Sequence, residues 1–164
     1  MIEVHGDIWE KGLYKDNTGI CIPTNLGWKL DGTNVMGKGL AHQAAKKFEW
    51  LSKLYGEWCK ERDRNCLIYK EIYYSKDPYA PAYLICIPTK PLDEQYPYLS
   101  WRQNSDLKLI GESLKQLKTV VRDLKLNKVF IPMLGCGNGG LSEDDVYPLL
   151  GRHLMDDRYI LVRN

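Results

Sequence analysis

A chain of 164 residues, 44% of them hydrophobic, is long enough to bury its own core as one domain without disulfide or metal staples. Its formal net charge of +2 is too small for a protein that coats nucleic acid, and is compatible with a local basic groove. No apolar run approaches the ~20 residues that span a bilayer, the first residues carry no signal-peptide pattern, and the histidines lack metal-ligand spacing.

In chain order, Met1–His5 and Gly19–Pro23 read as strands, and Ala41–Phe48 and Glu49–Arg62 as helices. Cys66–Tyr74 and Ala82–Thr89 are strand-like, separated by Ser75–Pro81, which reads as a turn. Pro91–Ser100 is a long Tyr/Pro-rich loop, expected to form a lid or rim. Asp106–Leu126 carries apolar residues at Leu107, Ile110, Leu114, Leu117, Val121 and Leu124, a helical stripe expected to face the core. Lys128–Leu134 reads as a strand, Ser142–Met155 as a helix and Tyr159–Val162 as a final strand. Strands mixed with long helices predict an α/β fold with helices on both faces of the sheet, over 1–164 as one domain. Cys21 and Cys86 lie in apolar strand-like runs and read as buried free thiols, which points to a reducing, cytoplasmic setting. A domain of this size closes its core alone, so a monomer is expected, with no cofactor, metal or membrane.

Three of these strands end alike, in Ile20-Cys-Ile-Pro-Thr-Asn25, Ile85-Cys-Ile-Pro-Thr-Lys90 and Val129-Phe-Ile-Pro-Met-Leu134. Proline cannot donate to a ladder and marks where pairing stops. Ligands of open α/β sheets bind beyond the carboxyl ends of strands. If the three strands are neighbours, Asn25, Lys90 and the loop after Leu134 share one crevice.

That loop is Gly135-Cys136-Gly137-Asn138-Gly139-Gly140, followed by Leu141 and a helix start. A strand, a glycine-rich turn and a helix N-terminus form a phosphate cradle of backbone N–H groups. Gly37-Lys38-Gly39 precedes a helix in the same way. Two such loops suit a diphosphate flanked by sugars. Asp7 can accept from an exocyclic amine while the Ile8 N–H donates to a ring nitrogen, or Asp7 caps a turn. Lys90, held between Pro88-Thr89 and Pro91, reads as an amine nucleophile with a lowered pKa, as a phosphate clamp, or as a plain exposed lysine.

Gly6-Asp7-Ile8, Met36-Gly-Lys-Gly-Leu-Ala41 and Pro132-Met-Leu-Gly-Cys-Gly-Asn-Gly-Gly-Leu141 together resemble a macro domain, in the right order over nearly the whole chain. With Ile87-Pro-Thr-Lys90 and Trp101-Arg102…Ser105, the chain is most similar to one branch. That branch holds the antitoxin glycohydrolases that remove ADP-ribose from DNA, and the terminal ADP-ribose protein glycohydrolases. The resemblance implies a three-layer α/β/α fold binding ADP-ribose or ADP-ribosylated nucleic acid or protein, in a toxin–antitoxin or phage-defence setting. It implies that Asp7 and Ile8 hold adenine, and that Gly135–Gly140 with Leu141 wraps the diphosphate and distal ribose. Asn25 and Gly37–Gly39 would face the distal ribose, and Lys90 would attack its anomeric carbon. The protein-directed members carry an aspartate where this chain has Gly139. Two alternatives therefore stand beside the glycohydrolase: a non-catalytic ADP-ribose reader, and a phosphatase of ADP-ribose 1″-phosphate.

Overall fold

The computed structural model describes residues 1–12, 17–61, 68–72 and 82–164, the stretch 68–72 by its backbone. Among them, six strands form one sheet: β1 (Ile2–His5), β2 (Thr18–Asn25), β3 (Ile68–Ile72), β4 (Ala82–Lys90), β5 (Lys128–Pro132) and β6 (Tyr159–Arg163). Their order is β1-β6-β5-β2-β4-β3, every pair parallel except β3 against β4. The three strands with the shared proline ending, β5, β2 and β4, are adjacent, as their common crevice requires.

Alternating side chains divide the core between the two faces of the sheet. Ile20, Ile22, Leu84 and Cys86 pack on one face beneath α1 (Ile8–Gly12), α2 (Gly39–Lys47) and α3 (Leu51–Glu61). Cys21, Ile85, Ile87 and Ile131 pack on the other beneath α4 (Leu107–Asp123) and α5 (Glu143–His153). The result is a three-layer α/β/α sandwich. Burial pushes the Cys21 and Cys86 thiols up, so both stay protonated packing groups.

Several expectations shift. The α4 stripe is Ile110, Leu114, Leu117 and Val121, each fully buried, with Leu109 turned to the opposite core; Leu107, in the first turn, is 38% exposed. Asp106 caps α4, its side chain accepting from the Leu109 N–H, and so stands outside the helix rather than in it. Helix α1 was not expected; it is only five residues long, below the reach of a periodicity argument. β2 runs on through Pro23 to Asn25. Its ladder with β5 ends at Ile20 and Phe130, so the missing N–H of Pro23 costs no bond on that side. The ends of Cys66–Tyr74 and the turn Ser75–Pro81 lie outside the described residues. No helix among the described residues is long and apolar enough to cross a membrane.

Candidate functional site

Beyond the carboxyl ends of the five parallel strands lies a cavity of about 1280 Å³. It opens where β2 and β5 part, β2 going on to Asn25 alongside β4 while β5 stays with β6. Its lining comes from the ends of β1, β6, β5, β2 and β4 in turn, four strand spacings and so about 19 Å across. An elongated ligand fits that trough better than a compact one.

Lys90 stands at the β4 end. Thr24 of β2 pairs with Pro88, but Asn25 pairs with Lys90, so Thr89 is an extra residue in β4. Such a bulge bends its strand and re-aims the next side chain. Thr89 is buried, and its hydroxyl accepts from Ser105 Oγ at 3.3 Å. The Lys90 ammonium donates to the backbone oxygen of Trp101 at 2.8 Å. Partial burial first, and the positive charge of Lys38 second, hold its pKa below that of a free lysine. A larger fraction of neutral amine follows at any pH below the unperturbed value.

The two glycine loops meet over the trough. The Asn138 amide nitrogen lies 3.6 Å from where a Cβ on Gly39 would stand. Gly139 is packed so closely that a Cβ there would lie 2.2 Å from Ser105 Oγ and 2.3 Å from the Gly135 oxygen. Its own carbonyl accepts from the Ser105 N–H at 2.9 Å. No side chain fits, which is a physical reason for the lack of an acid at this position. The anion-attracting helix end is not the one after this loop. α5 is capped by Ser142 and carries Glu143, Asp144 and Asp145 in its first turn, which already complement its dipole. α2 opens directly from Gly37-Lys38-Gly39 with no side-chain cap and no acid in its first turn. Its first N–H groups, at Gly39, Leu40 and Ala41, border the trough.

The remaining sequence candidates fall as follows. Asp7 and Ile8 line the β1 end, and one Asp7 carboxylate oxygen accepts from the Trp9 N–H at 2.9 Å. The capping role is thus real, and it leaves the second oxygen for a ligand amine. Asn25 is a buried organiser of the β2–α2 loop: its amide donates to Val35 O, and its oxygen accepts from the Gly27 N–H and from Asn34 Nδ2. Asn25 also lines the trough. Gly37, Lys38, Gly39, Gly135, Cys136, Gly137, Asn138, Gly139 and Leu141 all line it, whereas Gly140 does not. With φ at +75°, Gly140 turns the chain away towards α5. Burial raises the Cys136 thiol, so it lines the loop as a neutral group. Pro91–Ser100 contributes no lining residue; it leads into a 3-10 helix (Pro97–Arg102) that reaches the trough through Trp101. It is a rim, not a lid.

Sequence reasoning missed His5, Gln43, Glu143 and Arg163, and gave Trp101 and Ser105 no role in the trough. Arg163 ties the β1 end together, donating to Glu3 at 3.0 Å and to Glu143 at 2.8 Å, with its guanidinium over the Tyr147 ring. These are isolated surface-type residues whose role depends on the β1–β6 pairing, so no local pattern announces them.

The chain matches no protein-family model. It is 32% identical over 118 residues to a DNA ADP-ribosyl glycohydrolase of Thermus aquaticus, covering 71% of this chain and 30% of that protein. The chain thus spans about a third of the length of the curated relatives it matches. Among solved structures, the macrodomain of Mycobacterium tuberculosis DarG superposes with a TM-score of 0.75 at 26% identity, covering 99% of this chain and 97% of the other. Thermosipho africanus DarTG in complex with ADP-ribose shares the fold, at a TM-score of 0.75 and 22% identity over 99% of this chain and 41% of that one. With the trough at the strand ends, both glycine loops in place and Lys90 at one extremity, the chain belongs to the macro-domain family, in the branch of the DarG macrodomains.

Proposed function

We propose that the trough binds ADP-ribose and that the protein hydrolyses the bond joining its distal ribose to a nucleic acid or protein acceptor, with Lys90 as nucleophile. The observation that carries the reading is the setting of Lys90: a bulge aims it, the Trp101 carbonyl holds it, and burial with Lys38 lowers its pKa. A neutral Nζ can give its lone pair to the anomeric carbon. The glycosidic pair then leaves with the acceptor, which takes up a proton. Water attacks the same carbon, frees the lysine and completes ADP-ribose.

In this pose adenine lies at the β1 end, its amine on Asp7 and a ring nitrogen on the Ile8 N–H. The diphosphate lies between the uncapped start of α2 and the loop Gly135–Gly139 with Leu141. Gly37, Lys38, Gly39 and Asn25 face the distal ribose beside Lys90. The buried thiols Cys21 and Cys86 suit a reducing cytoplasm. A toxin–antitoxin or phage-defence role fits the company of the relatives.

One observation favours a second reading. Among the described residues, the side-chain carboxylates lining the trough are Asp7 and Glu143, both towards β1 and β6, and Glu143 is paired with Arg163. None stands beside Lys90 to protonate a leaving group, as a non-catalytic reader would have it. Turnover number separates the two. Release of many equivalents of ADP-ribose per protein, from ADP-ribosylated DNA or protein, is the expected result. Tight ADP-ribose binding with no turnover on either would overturn the enzyme and leave the reader. Phosphate release from ADP-ribose 1″-phosphate alone would point to the phosphatase.

A further inference from the structure

We propose that the rim over 92–103 carries a contact surface for the single nucleic-acid strand that bears the ADP-ribose, built from Tyr98, Trp101 and Arg102. This rests on the reading of the trough as an ADP-ribose site with a nucleic-acid acceptor.

The rim puts unusual side chains in water. Tyr96, Tyr98 and Trp101 are 44%, 46% and 36% exposed, within six residues of chain. Large aromatics grouped on a surface mark a contact site rather than a core. Their backbone is a 3-10 helix, in which side chains three apart eclipse at about 6 Å of rise. Tyr98 and Trp101 are three apart and so leave the helix on the same side. The Tyr96 and Tyr98 rings meet edge to face at 6.1 Å. The Arg102 guanidinium packs on the Trp101 ring at 5.1 Å from its centroid. Neighbouring exposed rings with a cation against one of them suit bases and a phosphate backbone, which offer a π-face and a negative charge at every step.

The rim is firmly seated. Ser100 is fully buried, accepts from the Asp93 N–H and donates to Pro97 O. The rim lies so close to the β2–α2 loop that a Cβ on Gly27 would stand 2.0 Å from the Pro97 oxygen. Asp93 is turned onto the N–H groups of Gln95 and Tyr96, leaving Glu94 as the exposed acid of the segment. Continuity with the site is direct. The carbonyl that holds Lys90 is that of Trp101, and Trp101 lines the trough. An acceptor joined to the distal ribose at Lys90 therefore emerges against Trp101, and its neighbours along a strand meet Tyr98 and Arg102.

The test is equilibrium binding in the Lys90→Ala background, where turnover is removed. Four probes are compared: free ADP-ribose, a short single-stranded oligonucleotide ADP-ribosylated on one base, the same strand unmodified, and an ADP-ribosylated peptide of similar length. The modified oligonucleotide is expected to bind about tenfold or more tighter than free ADP-ribose. Tyr98→Ala with Arg102→Ala should remove that gain and leave free ADP-ribose affinity within about twofold. Equal affinity for oligonucleotide and free ADP-ribose, or a gain that survives the double substitution, would overturn the proposal. So would a gain shown by the peptide and not by the strand, which would assign the rim to a protein acceptor. Failure of the trough reading looks different, since free ADP-ribose itself would then not bind. In that case the unmodified strand decides: binding lost on the double substitution keeps the rim surface, and no binding removes it.

Discussion

Lys90 and Lys38 are coupled through charge, and the coupling has a kinetic signature. Because burial and Lys38 hold the Lys90 ammonium below its usual pKa, the amine proposed as nucleophile gains its lone pair at lower pH than a free lysine would. kcat/KM should rise with pH through a midpoint below 10.5, the unperturbed lysine value. Lys38→Ala removes a repelling charge, so the midpoint should move up; a midpoint that stays put or falls would remove that link. Gly139 gives a steric test. Adding a Cβ forces the loop off Ser105 and the Gly135 oxygen, an overpacking cost of about 1–3 kcal/mol. Gly139→Ala should weaken ADP-ribose binding by about tenfold or more, as read by calorimetry. Unchanged affinity would mean that the loop does not hold the ligand in its present shape.

At the scale of elements, caps and bulges do the positioning. Asp106 closes the start of α4 and its N–H donates to the Thr89 oxygen at 2.9 Å, joining that helix to the bulge that aims Lys90. Asp106→Ala should cost about 1 kcal/mol of stability and lower Tm by roughly 2–4 °C, measured by calorimetry. Much of this was legible in the sequence. Long periodic patterns placed α3, α4 and α5 to within three residues, because a buried stripe such as Ile110, Leu114, Leu117, Val121 repeats over several turns. The proline endings of β2, β4 and β5 marked where the site lies, although pairing in β2 and β4 runs past them. What stayed hidden was non-local. α1 is too short to leave a period, and the Thr89 bulge exists only because β2 and β4 pair out of step. The uncapped α2 and the acid-complemented α5 could be told apart by their first-turn residues, a signal outweighed by the glycine count of the later loop.

At the scale of the whole molecule, one sheet joins two cores, so neither face should unfold without the other. Leu117→Ala, on the α4 side, should cost about 2–5 kcal/mol, still within one cooperative thermal transition. Two separate transitions would contradict the reading of 1–164 as a single domain. The same sheet sets the site. Five parallel strands deliver their ends to one trough, with Asp7 and Ile8, proposed to hold adenine, at one extremity and Lys90 at the other. The central claim is that binding and chemistry are separable along that trough. The direct measurement is a time course of free ADP-ribose released from DNA ADP-ribosylated on thymidine, by wild type and by Lys90→Ala, beside their affinities for ADP-ribose. Release by wild type alone, with affinities within several-fold of each other, is the predicted result. Equal release by Lys90→Ala would take the lysine out of the mechanism and contradict the claim.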